Sequence, residues 1–94
     1  MSEHNRGVPG GWSDWHFTLT PEAEEVFKEA LHQLMGVGYT PLAFATQVVA
    51  GLNYSFLAKG KVVVPGGHEF LARIHVYVAP GHKPVIAQIN RIEP

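Results

Sequence analysis

The sequence predicts an α+β domain in which one amphipathic helix covers one face of an antiparallel sheet. Three observations carry this expectation. Apolar residues fall at helical spacing once, before residue 35, and no helical signal returns after Pro41. The remaining chain divides into strand-length apolar or alternating segments. The separators between those segments are short and contain glycine, which favours a meander. The single helix is then the one element able to bury the apolar face of that sheet. With 94 residues the chain makes one domain around one core. Its expected parts are a flexible N-terminal trunk at residues 1–11 and a folded unit at residues 12–94.

Each element has its own signal. Residues 1–11, rich in glycine and polar groups with Pro9, form an arm. In WSDWHFTL, Trp15, Phe17 and Leu19 alternate against Asp14, His16 and Thr18, which predicts a short half-buried strand with Trp15 toward the core. Thr20 is an N-cap residue, Pro21 suits the first helical position, and Glu22, Glu24 and Glu25 complement the positive helix end. Ala23, Phe27, Ala30, Leu31 and Leu34 share one face, giving a helix of about four turns that ends at Gly36 or Gly38. Strands are expected at residues 42–49, 52–64, 69–78 and 84–92. The third alternates most clearly, with Phe70, Ala72, Ile74, Val76 and Val78 opposite Leu71, Arg73, His75 and Tyr77. In a meander, successive hairpins lie at alternate ends of the sheet. The first reversal (VVAG) and the third (PGHK) therefore share an edge, and PGGH lies at the other.

Composition removes several functional classes. The net charge of −1, without a basic run, lacks the electrostatic footprint of a nucleic-acid binder. The absence of cysteine excludes a disulfide framework, a zinc ribbon and a thiol nucleophile, and fits a reducing compartment. No apolar run reaches membrane-spanning length, and MSEHNRGVPGG has no apolar h-region, so no membrane partner and no secretory signal are expected. Ser13, Asp14 and His16 do not form a triad, because neighbouring strand residues point to opposite faces. The histidines at positions 4, 16, 32, 68, 75 and 82 are not paired at metal-ligand spacing, so no metal is expected.

The first reversal poses a question. Val48, Val49 and Ala50 lead into Gly51 where turn-forming polar residues are usual. Either these valines lie at an exposed tip, where an apolar cluster marks a contact surface, or they lie in the sheet and the chain turns later, near Gly51-Leu52-Asn53. Periodicity leaves both readings open.

Gln47-Val48-Val49-Ala50-Gly51 resembles the Gln-x-Val-x-Gly motif of the cystatins, inhibitors of papain-like cysteine proteases, and LNYSFLAKGK resembles the strand that follows it. The likeness extends through the early helix, the four strands and Pro80-Gly81, most of residues 7–92. With no cysteine and no secretory signal it is closest to the stefin-like, intracellular branch, which implies a cytoplasmic protein. The resemblance implies a reversible, tight-binding inhibitor and not an enzyme, without cofactor. It presents a wedge of three parts. Val8 and Pro9 run toward the non-primed subsites and end at Gly10, with Gly11 as the alternative. Gln47, Val48, Val49, Ala50 and Gly51 form the first loop, and Pro80, Gly81 and His82 the second. Gly10 and Gly51 are expected to admit close approach of the partner's backbone. The sequence departs from the family in lacking a Trp after the second-loop proline, in carrying Trp12 and Trp15 between trunk and helix, and in stopping at Pro94, short of the stefin tail.

The resemblance also implies a monomer when active and a domain-swapped dimer through the first loop. Strain at the hinge is expected to drive that exchange, because valine resists the positive φ of tight hairpins. The competing reading is a non-inhibitory binding module on the same fold, in which Trp12 serves either a different partner or the sheet.

Overall fold

A computed structural model describes residues 10–94. The expected arm up to Pro9, with Val8, lies outside the described residues. The elements run α1 (Pro21–Leu31), β1 (Val37–Val49), β2 (Gly51–Val62), β3 (Glu69–Val78) and β4 (Val85–Ile92). The four strands form one antiparallel sheet in chain order, so the fold is α+β with a simple meander.

The helix starts where its local chemistry dictates. The Thr20 hydroxyl accepts a 3.1 Å bond from the Ala23 amide, and Pro21 follows without an N–H to leave unpaired. It ends sooner than the apolar spacing suggests. The Leu34 amide bonds to the Leu31 carbonyl in a tighter turn, Gly36 takes a φ of +89°, and Leu34 is left exposed. Three turns, not four, cover the sheet.

The core follows from register. Phe44 pairs with Phe56, Phe56 with Ile74, and Ile74 with Ile89, so all four share one face. Phe27 of α1 meets Phe56 edge-on, with ring centroids 4.9 Å apart, and Ala23 is fully buried beside them. Burying Phe56, Ile74 and Val76 stabilises the fold by about 1.5–3 kcal/mol each.

Strand limits differ from expectation in three places. β1 begins at Val37, well before Leu42, because Pro41 is absorbed by a register shift between Pro41 and Ala43. β2 ends at Val62, not Val64. The chain turns at residues 64–67, where the Gly67 amide bonds to the Val64 carbonyl and Gly66 has a φ of +73°. Residues 12–16 do not form a regular strand; they touch β1 through isolated bridges at Trp12–Gln47 and His16–Phe44. Trp15 is 38% exposed and Phe17 75% exposed, so neither belongs to the core that their alternation suggested. Without a continuous ladder, nothing enforces that alternation. Among the described residues no helix is long and apolar enough to cross a membrane.

Candidate functional site

The meander places the β1–β2 and β3–β4 hairpins at the same end of the sheet, and three segments converge there. In the first hairpin Val48 pairs with Leu52 and Val49 with Gly51, which leaves Ala50 at the tip. Val48 and Val49 are 40% and 39% exposed. The valines therefore stand at the reversal and outside the core, which decides between the two readings of this stretch.

The expected strain is absent. No described residue other than glycine has a positive φ, and Gly51 alone supplies it, at +105°. A glycine after two residues of ordinary conformation closes a three-residue hairpin without straining the valines. Gly51 has a second, internal role. A Cβ there would collide with the Val78 carbonyl oxygen and lie 3.1 Å from Pro80 Cδ. The two loops are thus packed against each other through Gly51.

The second loop is a turn of residues 79–82. The His82 amide donates to the Ala79 carbonyl at 3.0 Å, Pro80 occupies the first central position, and Gly81 takes a φ of +74°. Proline followed by a positive-φ glycine is the signature of a type II turn. Pro80, Gly81 and His82 are all exposed.

The third segment enters from the N-terminal side. The Gly10 amide donates to the Val48 carbonyl at 3.1 Å, and Gln47 Nε2 donates to the Gly10 carbonyl at 3.0 Å. Asn53 Nδ2 donates in turn to Gln47 Oε1 at 2.8 Å. Gln47 spends both ends of its amide holding Gly10 to the hairpin, and Gly10 rather than Gly11 makes these bonds. Below it, the Ser13 amide donates to the Thr46 carbonyl at 2.8 Å, and Ser13 Oγ accepts from the Thr46 amide at 3.0 Å. The Ser13 hydroxyl is thus committed to holding the entering segment.

Comparison of the chain with protein-family models, curated proteins and solved structures gives no match. The geometry stands on its own. It brings Gly10, residues 47–51 and residues 80–82 together as one exposed edge; within these three segments His82 is the one titratable side chain. Two holding residues were not anticipated from sequence. Asn53 fixes Gln47, and the Tyr77 hydroxyl donates to the Ala50 carbonyl at 2.6 Å. Alternation placed Tyr77 on the face away from the helix but carried no sign that it reaches the tip. Val63 and Val64 at the far end are more exposed than Val48 and Val49. Exposure alone therefore does not mark the site; convergence of three segments does.

Proposed function

We propose that this protein is a reversible, tight-binding inhibitor of papain-like cysteine proteases, of the stefin-like cystatin type. The observation that carries the reading is the convergence of Gly10, the Gln47–Gly51 hairpin and the Pro80–His82 turn on one exposed edge. An edge of this shape fills a substrate cleft with a blunt hairpin. The tip offers apolar side chains and no peptide bond laid out for attack. Val48 and Val49 lose their remaining exposure against the cleft walls, each contributing on the order of 1 kcal/mol. Hydrogen bonds from Gln47 and Tyr77 hold the edge before any partner arrives, so little conformational entropy is lost on docking. On this reading the protein acts as a cytoplasmic monomer without cofactor or metal.

Titration against papain tests the reading. Inhibition should be reversible, and the recovered inhibitor should be uncleaved by mass spectrometry. Full papain activity at high micromolar protein would instead assign the edge to a non-inhibitory binding module.

A further inference from the structure

We propose that Trp12 is a positioning residue that presets the segment from Gly10 to Ser13 by clasping His75 across the back of the sheet; this rests on the inhibitor reading above. Residues 12–16 are not held by a ladder. Backbone bonds pin the segment to β1 at Ser13 and His16, and between these isolated points and Gly10 a side chain can set how it lies. The Trp12 ring meets His75 edge-on, with centroids 5.9 Å apart and planes at 65°. Ala45 and Ser55 line the recess beside it, small residues that leave room for an indole over the sheet. Ser55 and Gln88 flank His75 in register, and Arg73 precedes it by two residues on the same face.

The clasp lies two residues from Gly10, whose amide and carbonyl join the trunk to Val48 and Gln47. Gly10 is exposed, and water competes for both of its bonds. With Trp12 fixed, Gly10 stays against Val48 and Gln47. With Trp12 free, the segment from Gly10 to Ser13 peels from β1 and must be ordered again on each docking event, at an entropic cost. Trp12 touches no protease in this scheme and acts through Gly10.

The test compares full-length wild type, Trp12→Ala, Trp12→Phe and His75→Ala. Amide exchange at Gly10 and Ser13 in the free protein should quicken about three- to tenfold in Trp12→Ala and His75→Ala, the range set by a single ring contact. Trp12→Phe, which keeps a ring, should restore slow exchange. Papain should dissociate faster from Trp12→Ala by a similar factor. Unchanged exchange at Gly10 overturns the clasp even where inhibition is intact. A wild type that fails to inhibit papain sinks the inhibitor reading alone, and exchange still decides the clasp. If Trp12→Ala does not fold, His75→Ala decides in its place, and slow exchange there overturns the proposal.

Discussion

The Tyr77 hydroxyl bonds to the Ala50 carbonyl at 2.6 Å, so a side chain from β3 holds the tip of the hairpin between β1 and β2. Tyr77→Phe removes that bond and little else. Stability in urea should fall by about 0.5–1.5 kcal/mol, and papain should dissociate several-fold faster as the tip loosens. Equal dissociation rates for variant and wild type would show that the bond does not preorganise the edge.

Gly51 and Gly81 both have positive φ, but only Gly51 is crowded. Gly81→Ala meets open space and should cost roughly 1 kcal/mol for the backbone conformation. Gly51→Ala adds a collision with the Val78 carbonyl, and its loss in a denaturant titration should be at least twice as large. Equal losses would mean that the two loops are not packed through Gly51.

Val49→Asp separates binding from folding. The side chain is already 39% exposed, so the melting temperature should hardly move. Docking would bury an unpaired carboxylate, which costs about 3–5 kcal/mol, so inhibition should weaken by roughly a hundredfold or more. A large loss of stability would return Val49 to the core.

Two groups make stability depend on pH. Desolvation, and then the Arg73 charge, lower the His75 pKa below its ordinary value. The unfolded chain therefore takes up this proton first. Stability is retained above about pH 6.5 and declines as pH falls through that value and the lower folded one. Burial, and then Glu22, raise the Tyr54 pKa. Its contribution holds below about pH 10 and is lost as pH rises through the folded value. His75→Gln should flatten the acid limb of a stability profile and Tyr54→Phe the alkaline limb. Unchanged limbs would assign the titrations elsewhere.

Exchange through the first hairpin is the fifth expectation. Opening residues 47–51 would let β1 and β2 run on as one strand and give a two-fold swapped dimer. Gly51 relieves the hairpin of strain, and the Tyr77 hydroxyl holds its tip. Dimer should therefore form only on partial unfolding, and more readily in Tyr77→Phe. Dimer separated after mild heating should have lost most papain inhibition. A fully active dimer would place the swap elsewhere and remove the first loop from the wedge.

The legible parts of the fold were those set by short-range chemistry. Thr20 and Pro21 fixed the helix start, and the alternation from Phe70 to Val78 fixed β3 almost to the residue. The shared edge of the two loops followed from connection length. What stayed hidden depends on contacts distant in sequence. Leu34 continues the helical spacing, yet the helix has closed at Leu31 in a tighter turn that leaves Leu34 exposed. Pro41 looks like a breaker, yet a bulge accommodates it within β1. Trp15 and Phe17 alternate like strand residues but are both exposed. At the site, the motif marked Gln47 to Gly51, while the bonds that hold it come from Gly10, Asn53 and Tyr77.

The consecutive strand order also fixes which way the molecule faces when it is held. Ile92 pairs with Leu71 near the start of β3, whereas Gly51 lies against Val78 at its end, so Pro94 and Ala50 stand at opposite poles, roughly 20 Å or more apart. A linker joined after Pro94 leaves from the pole that carries Val63 and Val64. Copies tethered to a solid support through that linker all turn the Gly10–Ala50–Gly81 edge outward, a uniform bearing that suits an oriented capture surface.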